Sequence, residues 1–183
     1  MRQRGYIVSA FPASGKSHAV EVFRQRLDRT REAPRGTIVD LDTQQYCDRA
    51  DFHRAYVNAI RDGYANHQQM FVSSHRKLIP RYLKVGLPVL LAYPDRRDKD
   101  QYLDRLIARG DSLDMMSYLY HRWDELLNAC EAFHHPDVLH VVLRRGDYLS
   151  DALTYCGHGI TVKREYYNGL HRALENRDWK CVS

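Results

Sequence analysis

No Cys-x-x-Cys pair occurs in this chain. Its 4 cysteines, Cys47, Cys130, Cys156 and Cys181, lie far apart, which argues against a zinc ribbon or a disulfide framework and for reduced thiols in a cytosolic protein. Long apolar runs are also missing. The longest, Leu87–Tyr93, has the length of a strand rather than of a membrane span, so no membrane association is expected. Internal repeats, low-complexity tracts and linkers are absent, and the 183 residues read as a single domain with a core of its own. Met1-Arg2-Gln3-Arg4 passes straight into the first apolar stretch, leaving no room for a signal peptide, and the expected location is the cytoplasm.

Acidic residues fall short of basic ones. Asp and Glu number 23 against 28 Lys and Arg, a formal net charge of +5. Such a balance favours anionic partners, either nucleotides or nucleic acid. Apolar residues make up 44% and charged residues 28%, the proportions of an ordinary globular protein. No stable protein partner is expected.

The most informative stretch is Gly5-Tyr-Ile-Val-Ser-Ala-Phe-Pro-Ala-Ser-Gly-Lys-Ser17. Tyr6, Ile7 and Val8 suit a buried strand, and a helical pattern begins near His18. Between them lies x-x-x-x-Gly-Lys-Ser, the spacing of a phosphate-binding loop, with Ala10 where the pattern has its first glycine. Gly15 allows close backbone approach, and the loop N–H groups and helix N-terminus face an anion. The residues expected around a triphosphate are Ala10, Phe11, Pro12, Ala13, Ser14, Gly15, Lys16, Ser17 and His18. Lys16 would reach the outer phosphates and Ser17 would ligate Mg²⁺. Ala10 leaves open how tightly the first turn of the loop is wound.

Periodicity predicts helices at 17–29, 51–67, 76–85 (disturbed at Pro80), 96–109, 112–133 and 164–177. Strands are predicted at 37–39, 69–75 (running into a polar tip), 87–92 and 138–143, after the first. Residues 147–153 read as a turn and short helix, and 155–160 as a loop. Strands alternating with helices imply an α/β fold with a five-stranded parallel sheet, a three-layer α/β/α arrangement. Ligands then gather at the carboxyl ends of the strands. Five polar tips should meet there: 11–17, Asp40/Asp42, Ser73-Ser74-His75, Tyr93-Pro94-Asp95 and Arg144-Arg145.

Asp40 and Asp42 are the expected carboxylates for a Mg²⁺ water shell or for an acceptor's proton, Asp40 first. The bland alternative is that Asp42 caps the next segment while Asp40 is solvated. His75 reads equally well as a substrate contact or as a helix-start residue bonded to backbone. Among the basic residues of 96–109, Arg105 and Arg109 lie four apart on one face and are the expected charge-stabilising pair. Arg96, Arg97 and Lys99 read as a solvated face paired with Asp98, Asp100 and Asp104. Arg122 is a further candidate, and Tyr118, Tyr120 and Trp123 read as core and boundary residues.

In order along the chain, Ser-Ala-Phe-Pro-Ala-Ser-Gly-Lys-Ser (9–17), Ile-Val-Asp-Leu-Asp (38–42), Val-Ser-Ser-His (72–75), Tyr-Pro (93–94), a basic helix ending Arg-Gly (109–110) and Tyr-Leu-Ser-Asp (148–151) resemble small P-loop kinases of bacteriophages and their hosts. These are distant relatives of adenylate and nucleoside monophosphate kinases, and some phage members are 5-hydroxymethyluracil DNA kinases. The resemblance implies a single P-loop kinase-like domain over 1–183 with a lid-like helical region near 95–123. It also implies ATP and Mg²⁺, a nucleotide or modified-DNA acceptor, and host cytoplasm if phage-encoded. Many P-loop proteins carry a Mg²⁺-associated Asp at the third-strand tip; here Ser73, Ser74 and His75 stand there, which shifts metal support to Asp40 and Asp42. The alternatives are a nucleotide-dependent binding module or switch, and a DNA-binding accessory protein with little transfer activity.

Overall fold

Consecutive residues of a strand point to opposite faces, so a strand apolar at every position must be covered on both sides. β1 (Ile7–Ala10) and β4 (Val89–Pro94) are buried at every residue, and β5 (Val138–Leu143) at nearly every one. With β2 (Ile38–Leu41) and β3 (Gln69–Ser73) they form a parallel sheet in the order β2-β3-β1-β4-β5. The structure is a computed structural model and describes residues 6–30, 38–46, 48–66, 68–156 and 159–166.

The two sheet faces make two cores. Ile7, Val72, Val89, Leu91 and Val138 point to one face. They meet α2 (Phe52–Ala65), α3 (Ile79–Lys84), α4 (Lys99–Arg109) and α5 (Leu113–Glu131) through Tyr56, Ile60, Tyr82, Leu106 and Trp123. Val8, Leu90, Leu139 and Val141 point to the other, against Ala19, Val20 and Phe23 of α1 (Lys16–Thr30) and Leu149 of α6 (Leu149–Ala152). The result is a three-layer α/β/α sandwich. Among the described residues no helix is long and apolar enough to cross a membrane.

Three local expectations need correction. The helix expected at 76–85 starts only at Ile79, and Pro80 occupies its first turn, where a missing N–H costs nothing. Residues 155–160 are not a loop. Strands β6 (Leu153–Cys156) and β7 (Gly159–Val162) pair antiparallel and lay Leu153, Ile160 and Val162 on the α1 face. The helix expected at 164–177 opens as a 3-10 turn, Arg164–Tyr166; the rest lies outside the described residues. Elsewhere expectation and structure agree closely. Ser112 caps α5 by accepting from the Met115 N–H at 3.2 Å, and Gly110 ends α4 in the left-handed region.

The helical region anticipated near 95–123 is the α4–α5 hairpin. It is anchored from below: Phe11, the residue after β1, packs edge-on against Trp123 at 5.4 Å and Tyr102 at 6.1 Å. Trp123 is 2% exposed, and its indole N–H donates to the Arg96 carbonyl at 2.9 Å. Trp123→Ala should therefore lower unfolding stability by about 3–5 kcal/mol in urea titrations, whereas Trp123→Phe should cost clearly less; equal losses would contradict this packing.

Candidate functional site: a phosphate loop facing paired aspartates

The loop between β1 and α1 is held from three sides. Phe11 N–H donates to Ala92 of β4, Ser74 N–H to Ala10, and Leu149 N–H to the Ser14 carbonyl at 2.9 Å. Ala10 is the last residue of β1, with ordinary strand backbone. The left-handed residue is instead Ala13, at φ 60°, followed by Gly15 at φ 87°. The question raised by Ala10 is therefore answered three residues later. Gly15 is also required for space, since a Cβ there would stand 2.7 Å from Cδ1 of Tyr148. Ser14 is fully buried, its hydroxyl lacking a partner among the described residues, so its backbone rather than its side chain serves the loop. The side chain of Phe11 belongs to the core. Ala10, Phe11, Pro12, Ala13, Gly15, Lys16, Ser17 and His18 all line one continuous cavity of about 1500 Å³.

β2 brings the carboxylates to this loop. Asp40 accepts from the Lys16 ammonium and, through its other oxygen, from the Ser17 hydroxyl at 2.6 Å. The strand itself is tethered: Arg24 of α1 donates twice to the Ile38 carbonyl, at 2.8 and 3.2 Å. At its far end the Tyr56 hydroxyl donates to the Leu41 carbonyl at 2.8 Å and accepts from Ser73 N–H at 3.3 Å. One phenol thus ties the tips of β2 and β3 together, and burial holds it protonated by raising its pKa. The pattern on α2 marks Tyr56 only as core; its polar task depends on which carbonyl lies above it. Among the described residues Asp42 takes Thr43 rather than Lys16 and Ser17. It lines the cavity, with Thr43 donating to it at 3.4 Å and Arg109 among the charges near it. The two aspartates therefore divide, Asp40 behind Lys16 and Ser17, Asp42 toward the open space.

Of the five strand tips, all on one rim, three line the cavity: the loop, Asp42 and Ser73–His75. Tyr93 is buried instead, its hydroxyl on His140, and Asp95 takes Arg97 in a fork that holds its carboxyl down at about 2. Arg144 donates to the Glu165 carbonyl, and the cavity is reached two and four residues later, at Gly146 and Tyr148. His75 accepts from Lys77 N–H at Nδ1 and starts the next turn, as the bland reading has it, yet it lines the cavity.

The two candidate arginines separate. Arg105 donates to the carbonyls of Asp147, at 2.7 Å, and Ala13, at 3.4 Å. Its guanidinium lies 4.0 Å from the Tyr148 ring centroid and 4.8 Å from that of Tyr102, and it forms no ion pair among the described residues. It is a cation beside the phosphate loop with carbonyls and rings, not a carboxylate, for company. Arg109 is forked onto Asp111 at 2.6 and 2.8 Å, and both line the same cavity as Arg105. Arg96 reaches Asp124 and Glu131 of α5 rather than acids of its own helix, and Lys99 sits over Tyr120. Tyr148, which touches Gly15, Arg105 and the His18 ring, has no periodic signal in the sequence, because it belongs to a loop whose position the β5 connection sets.

Ser17 and Asp40 offer hard oxygen donors side by side at a helix N-terminus, which suits Mg²⁺. Among the described residues no group of three His, Cys, Asp or Glu comes together, so a cation here would take its remaining ligands from phosphate and water. No family model matches the chain, and no curated protein matches it. Among solved structures, a de novo designed protein described as having a P-loop NTPase fold aligns over 72% of this chain and 99% of its own, at 10% identity and a TM-score of 0.29.

Two expectations follow. Gly15→Ala should lower unfolding stability by about 1–3 kcal/mol in urea titrations, through left-handed strain and the Tyr148 clash. Ala13→Gly should preserve it, since relief of about 1–2 kcal/mol of left-handed strain is set against about 0.4–1 kcal/mol of added unfolded-state freedom. Equal tolerance at the two positions would contradict the loop geometry. For His75, partial burial, then His53, Lys77 and Arg76, push the pKa below the ordinary 6.5. The folded state then resists protonation more than the unfolded chain, so this contribution to stability is complete above 6.5 and declines as pH falls below it. An NMR titration should find the His75 midpoint under 6.5, and His75→Gln should flatten that part of the stability profile; a midpoint above 6.5 would contradict it.

Proposed function

We propose that this protein is an ATP-dependent phosphotransferase that moves the γ-phosphoryl group to a hydroxyl of a nucleotide-type acceptor, a free nucleotide or a hydroxymethylated pyrimidine base in DNA. The observation that carries the reading is the division of the aspartates: Asp40 on Lys16 and Ser17, Asp42 facing the same cavity. A hydrolase-like switch needs only the first arrangement. A carboxylate on the open side of the phosphate loop gives a second reactant somewhere to leave its proton.

In this reading the backbone N–H groups of the loop and the head of α1 bind the triphosphate. Lys16 exchanges the Asp40 carboxylate for outer phosphate oxygens. Mg²⁺, held by Ser17 and Asp40, would supply charge neutralisation across the phosphates. The acceptor oxygen forms its bond to the γ-phosphorus as the bond to the bridging oxygen breaks; ADP leaves, and the hydroxyl proton passes to Asp42. Arg105 brings a guanidinium to the equatorial oxygens, where charge is spread in transfer. It can leave two carbonyls for an anion without breaking an ion pair.

Purified protein with ATP labelled at the γ-phosphate, Mg²⁺ and a panel of nucleosides, nucleoside monophosphates and hydroxymethyluracil-containing DNA tests the reading. Label should move to an acceptor. Label released only as free phosphate favours a switch, and no ATP binding with salt-sensitive DNA binding favours a DNA accessory protein. Lys16→Ala should abolish transfer in a folded protein. Asp42→Asn should lower kcat by about 10²–10⁴-fold with ATP affinity little changed, whereas Asp40→Asn should weaken Mg²⁺-ATP binding itself; the reverse pattern would exchange the two roles.

A further inference from the structure

Between Asp62 and Asp95 the chain carries no acidic residue, although acids number 23 in 183 residues. The Lys and Arg of that stretch, Arg76, Lys77, Arg81 and Lys84, all belong to the β3–α3 connection and α3. The short helix is keyed into the core by Leu78, Ile79 and Tyr82, none more than 1% exposed. Lys77, Arg81 and Lys84 are left exposed. Arg76 is engaged by Glu125 of α5 at 3.3 Å. The other three form no ion pair among the described residues, and the two acids nearest in sequence are themselves engaged, Asp62 by Arg61 and Asp95 by Arg97.

The bland alternative is a solvated helix face. Arg81 and Lys84 near the end of α3 do favour the negative pole of its dipole. That accounts neither for Lys77, which precedes the helix, nor for the missing counter-charges. Elsewhere cations are interleaved with acids: Arg49 and Arg54 take Asp51, and Arg96 takes Asp124 and Glu131. A strip of one sign attracts an extended anion. Positions 77, 81 and 84 have the spacing of one helix face, and the strip starts at Lys77, on the rim of the cavity that holds the phosphate loop and Asp42. Separate positive charges in a row match the repeated phosphates of a polynucleotide better than one small anion. The aromatic ring of α3, Tyr82, is buried, so contacts here go to phosphates and do not stack on bases. A base that must enter a cavity has to leave a duplex stack first, which favours a single strand.

We infer that the β3–α3 connection and α3 form a backbone-binding strip for a single strand of DNA: Lys77, Arg81 and Lys84 hold successive phosphates while one nucleotide of that strand turns into the cavity. The inference rests on the phosphotransferase reading and deepens it, choosing the polymer over the free nucleotide as acceptor, but the strip is testable without turnover. Fluorescence anisotropy of a labelled single-stranded oligonucleotide across a salt series gives its affinity and the slope of log K against log salt. The whole protein should bind the single strand more tightly than the matched duplex. Arg81→Gln with Lys84→Gln should flatten the slope by about 1.4, at about 0.7 per phosphate contact, and weaken binding about tenfold or more at low salt. Lys77→Gln should flatten it by about 0.7. Arg26→Gln with Arg164→Gln removes the same charge from exposed positions on the α1 side of the sheet, and its slope should stay close to that of the wild type. Equal losses in the two double variants would reduce the effect to net charge and overturn the strip. So would unchanged binding in Arg81→Gln with Lys84→Gln, tighter binding of the duplex, or displacement of the strand by polyglutamate at matched charge, which would mark a surface for an acidic protein. The label assay keeps the two readings apart. Strip-dependent binding without transfer to any acceptor upholds the strip and rejects the phosphotransferase. Transfer to hydroxymethyluracil-containing single strands that the α3 double variant leaves unchanged upholds the phosphotransferase and overturns the strip, and transfer to a free nucleotide alone overturns the choice of acceptor.

Discussion

One carboxylate, Asp40, holds the head of α1 in order. Its two oxygens receive the Lys16 ammonium and the Ser17 hydroxyl, so the two side chains that the phosphate loop contributes are both set by a residue 23 or 24 positions away. That arrangement depends on the parallel sheet. β3 lies between β1 and β2, with Ala10 beside Ser73 and Leu41 beside Val72, and this register delivers Asp40 to the loop's edge. Arg24 and Tyr56 then secure β2 at its two ends. Edge strands are the least constrained members of a sheet; this one is tied at each end by a side chain from a helix.

The second constraint is steric. Tyr148 presses on Gly15, Leu149 N–H holds the Ser14 carbonyl, and Asp151 in turn accepts from Tyr148 N–H at 2.8 Å. The segment after β5 is thus a brace across the loop, and it also supplies the Asp147 carbonyl and the ring on which Arg105 rests. Asp147 is itself bonded by the Tyr166 hydroxyl. A phosphate loop with an alanine in the left-handed region is strained, and a surrounding cage of this kind is what keeps such a residue in place.

The layers, the five parallel strands and the strand–turn–helix at Gly15-Lys16-Ser17 were legible because apolar runs of strand length and the Gly-Lys-Ser turn are local signals. Asp40 and Asp42 were legible as a pair from their place at the end of β2. Their division was not, because it turns on which oxygen faces α1. Tyr56 acts through a partner 15 residues distant and Tyr148 through loop placement, and no periodicity encodes that. The β6–β7 hairpin was missed for another reason: two strands of 4 residues flanking glycines are too short to tell from a loop until the α1 face offers them burial. Arg109 was picked by spacing and is engaged by Asp111, a neighbour just beyond the helix end.

The central claim is that the Lys16–Asp40–Ser17 group is a triphosphate and cation site at rest. A crystal structure of the protein with Mg²⁺ and a non-hydrolysable ATP analogue measures this directly. Lys16 Nζ should leave Asp40 for the outer phosphate oxygens, with the cation beside Ser17 and Asp40 and Asp42 facing the terminal phosphate across open space. A nucleotide bound elsewhere, or Lys16 still held by Asp40 with phosphates in place, would contradict the account.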